Sequence, residues 1–506
     1  MKDGNVPIIV GAAQYRQEKD SAHPLHPLGL MEEASRRALN DTGSAEIRNS
    51  IDEVYVVNLF LFSYRDAPGL LARKLGINPQ RQFYTAVGGN TPQALVNNAA
   101  RSLDAGECRA VLMTGAEAFY ALRRASKGEV VLDWPKSESP ERIDGNNPPG
   151  ISALENKYDL SRPIHVYPLF ETALRASLGH NPEEHRKYLG ELCARFSRIA
   201  STNPYAWIRR AASAEEIAAP GGGNRYIGYP YTKMMNANID VDQSAALIMT
   251  TEKTAMELGI DPSRWVYPLA GVELNEIWFV SRRPHLDSSP AIRQAARLCL
   301  DRAGLSLDDI GVFDLYSCFP CVVEITHREI GIPEDDGRDL SVTGGLPYFG
   351  GPGNNYSMHA IASVVERIRK NRKLKAMLTA NGYYLTKHAV GIYGGERPSN
   401  PVYGGEATGL QASIDALALP EPLERADGEM TVEAYVIRHD RKGEPEKGTV
   451  IGRLRDGSRG LAHIEANAVS LLEMEKFELV GKTGRVRFNP EMGLNSISFN
   501  EFTSRL

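Results

Sequence analysis

The sequence predicts an α/β protein built from two similar halves, interrupted by an inserted segment and followed by a small all-β domain. Three observations carry this expectation. Glu33-Ala-Ser-Arg-Arg-Ala-Leu-Asn-Asp-Thr-Gly43 recurs as Gln294-Ala-Ala-Arg-Leu-Cys-Leu-Asp-Arg-Ala-Gly304, with Ala34/Ala295, Arg36/Arg297, Leu39/Leu300 and Gly43/Gly304 in register. Between the copies, Pro135, Pro140 and Pro148-Pro149 break the pattern. From Thr431 onward, period-two alternation replaces helical spacing.

In chain order, the apolar run from Pro7 to Ala13 reads as a buried first strand. The helix ending at Gly43 follows, then a strand from Ile51 to Phe60, the pair Gly88-Gly89 opening an alanine-rich helix, and a strand from Val111 to Gly115. The second copy repeats this order: the helix to Gly304, a strand from Ile310 to Leu315, Gly350-Gly351 before another alanine-rich helix, and a strand from Met377 to Gly382. Short β-branched runs alternating with helices predict mainly parallel sheets covered on both faces. The predicted divisions are 1–118 with 236–265 as the first half, 119–235 as the insertion, 266–395 as the second half, 396–430 as a Pro/Gly-rich linker, and 431–506 as the β domain. Within the insertion one helix is expected, Pro182 to Ala200, beside the loop Gly221-Gly-Gly-Asn224. After it the spacing predicts a helix from Gln243 to Leu258. In the tail, Thr431 to Arg438, Gly448 to Leu454, Leu461 to Ile464 and Gly484 to Phe488 read as short strands joined by glycine turns, an OB-like barrel.

Composition narrows the function. Fifty-eight Lys and Arg against 63 Asp and Glu leave a net charge of −5, which provides no field for nucleic acid or anionic membrane. Five cysteines are too few and odd in number for a disulfide framework. No stretch approaches the length of a membrane span. The expected location is cytoplasmic, with neither nucleic acid nor membrane as partner.

The motifs resemble those of thiolases. Asn236-Ala-Asn238 followed by Val241 to Met249 is similar to the segment leading into the thiolase "DGAAA" helix. Leu315-Tyr-Ser-Cys-Phe319 stands where thiolases carry Asn-Glu-Ala-Phe and sterol-carrier-type thiolases His-Asp-Cys-Phe. Thr343 to Pro352 resembles the stretch ending in Gly-His-Pro, and Ala380-Asn-Gly382 the Cys-x-Gly motif. The resemblance spans about residues 5–395. It implies duplicated thiolase-fold halves in a five-layer α-β-α-β-α stack with a loop domain, and here an extra C-terminal domain. It also implies an acyl-CoA ligand, lipid metabolism and acyl transfer, and pairing through a sheet edge as a homodimer, unless the tail blocks that edge and leaves a monomer. No covalently bound cofactor and no metal are expected; a CoA thioester would be substrate or ligand.

The departures from the family pattern decide the expected chemistry. Thiolases need a nucleophilic cysteine at a helix N-terminus, where dipole and amides favour thiolate. Counting back from Gly106 places that position at Gly89. The histidine of Gly-His-Pro falls on Gly351, the second cysteine on Ala380, and the Asn or His of the fourth motif on Tyr316. Acyl-cysteine chemistry is therefore not expected. The same loops remain polar, with Asn90, Asn355 and Asn381 beside Gly89, Gly351 and Gly353, an arrangement suited to holding an oxyanion although Asn and Gly are also ordinary loop residues.

Tyr316 is read either as a hydrogen-bond donor or proton exchanger in catalysis or as a satisfied buried tyrosine. Cys318 and Cys321 form Cys-Phe-Pro-Cys, either a rescued nucleophile at Cys318, a redox pair or half a metal site, or small inert thiols. His359 and His388 are read either as bases or as structural histidines. His165 and Tyr167 are further positions on the insertion. Arg210 and Lys233 are candidates for the CoA phosphates. The expected activity is carbon–carbon bond formation or cleavage, of Claisen or aldol type, on a CoA thioester without the nucleophilic cysteine. The alternative is a catalytically silent acyl-CoA carrier or scaffold.

Overall fold

A computed structural model of the chain describes residues 5–399, 403 and 407–499. The first half forms a five-stranded sheet ordered Pro7–Arg16, Asp242–Thr251, Ala110–Ala118, Ile51–Val56, Arg81–Tyr84. The last three run parallel to one another, and Asp242–Thr251 runs antiparallel to both its neighbours. The second half repeats the order with Tyr267–Asn275, Lys387–Gly394, Lys375–Gly382 and Val312–Asp314. The fifth place is taken by residues 339–340, whose carbonyls accept from Phe313 N and Leu315 N at 3.1 and 2.9 Å.

The repeat read from the sequence is one of geometry as well. The helices Pro27–Asp41 and Pro290–Ala303 lie on equivalent strands of the two sheets. Gly43 and Gly304 follow them at φ 73° and 64°, the left-handed conformation that ends a helix and that glycine adopts without strain. Thr91–Ala105 and Tyr356–Lys370 are sandwiched between the sheets and touch strands of both. Two outer helical layers, two sheets and a shared helical layer make the five-layer stack. Ala110–Ala118 and Asp242–Thr251 are buried at every residue, as strands covered on both faces must be.

That burial corrects one expectation. Residues 243–258 were predicted as a helix, but Asp242–Thr251 is a central strand and only Glu252–Glu257 is helical. A fully buried strand reads as a continuous apolar run, which periodicity does not distinguish from a buried helix. The insertion also contains a second long helix, Pro163–Leu178, with Pro168 inside it. Pro163 stands at the N-terminus, where a missing N–H costs nothing. The proposed linker is not structureless either: Thr408–Asp415 is a helix, and Gln411 exchanges hydrogen bonds with the backbone of Asn275 at 2.8 and 3.0 Å.

The tail closes into a barrel of Gly428–His439, Pro445–Leu454, Arg459–Ile464, Leu494–Ser498 and Thr483–Asn489, the last pairing back to the first. The strand Leu494–Ser498 and the helix Ala468–Met474 were not read from the sequence. The barrel is bound into the insertion: Gly428–His439 also pairs with Tyr226–Tyr229, with Ile437 opposite Tyr229. At the first sheet's outer edge, Asp144 lies against the end of Arg81–Tyr84. Its N–H donates to Tyr84 O at 2.7 Å and its carbonyl accepts from Ala86 N at 2.9 Å.

Candidate functional site

Two glycine turns interlock between the halves. Gly88 N donates to Asn354 Oδ1 at 3.0 Å, and Ser357 Oγ donates to Gly89 O at 3.1 Å. Gly89 precedes the helix Thr91–Ala105, as the sequence predicts for the nucleophile position. The position is filled from the other half. A Cβ on Gly89 would lie 2.3 Å from the Tyr316 hydroxyl and 2.5 Å from Asn381 O. Tyr316 is carried there by the loop after Val312–Asp314, its N–H bonded to Thr379 Oγ1 at 3.1 Å. The phenol thus stands where a cysteine side chain would project. Burial, then the neighbouring Cys318, pushes its pKa well above the usual phenol range, so Tyr316 is a neutral donor at all ordinary pH.

Cys318, Tyr167 and Asn381 complete the centre. Asn381 Nδ2 donates to the Tyr167 hydroxyl at 3.0 Å and lies 3.9 Å from Cys318 Sγ, while Tyr167 donates to Tyr383 O at 2.7 Å. Burial pushes the Cys318 thiol up to about 12, so at neutral pH it is a thiol and a poor nucleophile. Two amide oxygens here, of Asn90 and Asn381, are buried without a hydrogen-bond partner among the described residues, as is that of Asn355 under the first sheet. Buried acceptors of this kind call for a donor from water or ligand.

The histidines separate. His388 lines a small void with Tyr316, Thr379 and Asn381, its Nε2 3.1 Å from Leu385 O. Burial, with Arg283 adding to it, brings its pKa down to about 3; it is neutral and a weak base. His359 is not in the site. Its Nδ1 lies 3.0 Å from Gln14 Oε1 and its ring meets Phe349 edge-on, and burial also lowers its pKa to about 3. Asn355 sits beneath the first sheet, donating to Gly115 O at 2.7 Å. Gly353, at φ 54°, abuts Glu117 and Phe60.

A groove of about 950 Å³ runs over the insertion. Arg210 and Lys233 both line it, joined by Lys19, Arg123 and Trp207, which no motif singles out. Arg210 is paired with Glu216 and Arg123 with Asp240 at 3.1 Å, and Lys19 lies 5.0 Å from the Trp207 ring centre. The groove's inner end is formed by Ala237, Asn238 and Pro347. Ala237 N donates to Cys318 O at 3.1 Å, and Gly351 N to Asn238 O at 2.8 Å. Gly351 therefore lies one hydrogen bond from the groove lining, and a Cβ there would meet Leu346, Asn238 O and Ala237 at ordinary contact distances of 3.4 to 3.8 Å.

Residues 409–490 match the model of the thiolase-like protein type 1 additional C-terminal domain. Over 98% of its length the chain is similar to a monomeric SCP2-thiolase like protein type 1 from Mycobacterium smegmatis, 33% identical, with a TM-score of 0.85 and 99% of that chain covered. The Ltp2-ChsH2(DUF35) aldolase shares the fold at 19% identity and TM-score 0.60, covering 77% of this chain and 98% of that one. Among curated proteins, sterol carrier protein 2 of Bos taurus is 25% identical over 241 residues, 44% of this chain and 40% of the relative. The match thus spans less than half of that protein. No helix among the described residues is long and apolar enough to cross a membrane.

Proposed function

This chain belongs to the SCP2-thiolase-like proteins of type 1, and from that premise we propose that it binds a CoA thioester and makes or breaks the carbon–carbon bond beside it without an acyl-cysteine. The observation that carries this reading is the phenol of Tyr316 filling the nucleophile's space at Gly89. The groove is the place for CoA, its phosphates meeting Lys19, Arg123, Arg210 and Lys233 and its pantetheine arm directed toward Ala237 and Asn238. At the thioester, Tyr316 donates to the carbonyl oxygen and stabilises the enolate formed in a Claisen or aldol step. The unpartnered acceptors Asn90 Oδ1 and Asn381 Oδ1 favour an acyl chain bearing a hydroxyl, hence a β-hydroxyacyl rather than a β-ketoacyl thioester. As the carbon–carbon bond breaks, the β-hydroxyl proton passes to water and a proton is returned to the enolate carbon; His359, outside the centre, and His388, a weak base, are not assigned that transfer.

A second reading, a silent acyl-CoA carrier, is favoured by one feature: the void beside Tyr316 holds only about 10 Å³, room for a single water. One screen separates the two. With a panel of β-hydroxyacyl- and β-ketoacyl-CoA, the enzyme reading expects a cleavage product that Tyr316→Phe reduces about 100-fold or more and Cys318→Ser leaves in place. A chain that binds CoA yet turns over no member of the panel is a carrier.

The covered sheet edge at Asp144 supports a monomer. Light scattering at micromolar concentration is expected to return one chain, 55.6 kDa; a stable dimer would show that the edge is open.

A further inference from the structure

Away from the groove, three helices bring together Glu171, His185 and Glu324. Glu171 lies on Pro163–Leu178, His185 on Pro182–Thr202 and Glu324 on Pro320–Ile330. All three are buried, and one ligand atom from each lies within 4.8 Å of the others. His185 Nε2 is 2.6 Å from Glu171 Oε1, and the Tyr231 hydroxyl donates to Glu171 Oε2 at 2.7 Å. On its other side, His185 Nδ1 faces His180 Nδ1 at 3.3 Å.

Glu324 is the feature without an explanation in protein contacts alone. It is 4% exposed, and neither of its carboxylate oxygens has a hydrogen-bond partner among the described residues. Glu171 faces it, but an ionised carboxylate is acceptor-only and offers no proton. Arg328, whose charge acts on Glu324, donates instead to Ser177 Oγ at 3.1 Å. An unpaired carboxylate in this setting costs several kcal/mol unless a cation or a proton compensates it. Burial and then the adjacent Glu171 do push the Glu324 carboxyl well above its usual range. A proton on Glu324 would relieve the repulsion but still leave an oxygen without a donor.

We propose that Glu171, His185 and Glu324 hold a divalent transition-metal ion of the zinc class, which ties the insertion to the second half. One imidazole nitrogen and two carboxylate oxygens are a ligand set that such ions accept, with water completing the tetrahedron once the 2.6 Å hydrogen bond between His185 and Glu171 opens to the roughly 3.3 Å that two tetrahedral ligands need. Two carboxylates neutralise the ion's charge, and Tyr231 and His180 orient the ligands from outside, as outer-shell partners do. The role is structural: the three helices come from the two sides of the interface on which the loop carrying Cys318 rests. The Cys-Phe-Pro-Cys pair takes no part. The thiol of Cys321 lies 3.6 Å from Tyr167 O instead.

The test uses the full chain, stripped with chelator and titrated with Co²⁺ alone. One equivalent per chain is expected, with visible ligand-field absorption that added Zn²⁺ abolishes. Glu324→Gln is expected to weaken Co²⁺ binding by more than about 100-fold, beyond the 10–100-fold cost of an outer-shell loss. Tyr231→Phe, which keeps all three ligands, should fall in that lower range and serves if Glu324→Gln does not fold. A wild-type chain that takes up no Co²⁺ overturns the proposal, since the two carboxylates then share a proton. Undiminished binding by Glu324→Gln overturns it equally.

Discussion

Gly89→Cys, the substitution that would restore a thiolase nucleophile by sequence, is expected to destabilise the chain by about 2–3 kcal/mol and to yield no acyl-enzyme. The added Cβ would sit 2.3 Å from the Tyr316 hydroxyl and 2.5 Å from Asn381 O. The first obstacle is the tip of a side chain, the second a backbone carbonyl at the end of the strand Lys375–Gly382. Relief at Tyr316 alone is therefore incomplete, and Gly89→Cys combined with Tyr316→Ala should recover only part of the loss. Denaturant midpoints of the three variants, followed by circular dichroism, check the order wild type, double variant, single variant. A Gly89→Cys chain with an unchanged midpoint, or one trapped as an acyl-enzyme by mass spectrometry, would mean that Tyr316 is free to swing aside. The expectation matters for function because it makes the loss of the cysteine irreversible by one mutation. The centre has been rebuilt around the phenol, not left vacant.

Much of that centre was readable from motif order. Gly89 was placed by counting from Gly106, and Tyr316 by its position in Leu315-Tyr-Ser-Cys-Phe319, and the two meet in space. What motif order does not convey is which way a helix turns its residues. Ser357 bonds to Gly89 O, whereas His359, two residues on and about 200° around the helix, reaches Gln14. Helical spacing alone could have removed His359 from the site. The strand Asp242–Thr251 was misread because burial on both faces erases periodicity, and the helix Pro163–Leu178, with Pro168 inside it, went unpredicted. Lys19, Arg123 and Trp207 in the groove, and Glu171, His185 and Glu324 behind it, carry no local signal. Each set is assembled from separate segments, so only the packed chain reveals it.

The second large effect is expected far from the reacting centre, at Arg175. Its side chain is fully buried, yet it spans the contact between insertion and barrel. The guanidinium donates to Glu478 at 2.7 and 3.1 Å, to the Tyr435 hydroxyl at 2.6 Å and to the Tyr229 hydroxyl at 3.2 Å. Arg175→Ala removes a donor from both phenols and from Glu478 and should cost about 3 kcal/mol, the lower end for a broken buried pair, because Tyr229 still donates to Glu475 O at 2.7 Å, Glu478 still accepts from Val480 N at 2.8 Å, and Glu478 keeps partial access to water. Arg175→Lys retains charge but not the planar fork and should fall between the two. Hydrogen exchange is the discriminating measurement. Tyr229 and Tyr435 lie on the paired strands Tyr226–Tyr229 and Gly428–His439, so Arg175→Ala should speed exchange there before either thiolase-like sheet loosens. If protection falls uniformly, Arg175 contributes only to global stability; if it does not fall at all, the barrel is held by its strand pairing alone. The groove gives this a functional consequence. Gly221, Asn224 and Ile227, from the segment leading into and forming the strand Tyr226–Tyr229, line its wall. A barrel that loosens should therefore weaken CoA binding through a residue that touches neither ligand nor centre, which makes the extra domain a support for the binding groove.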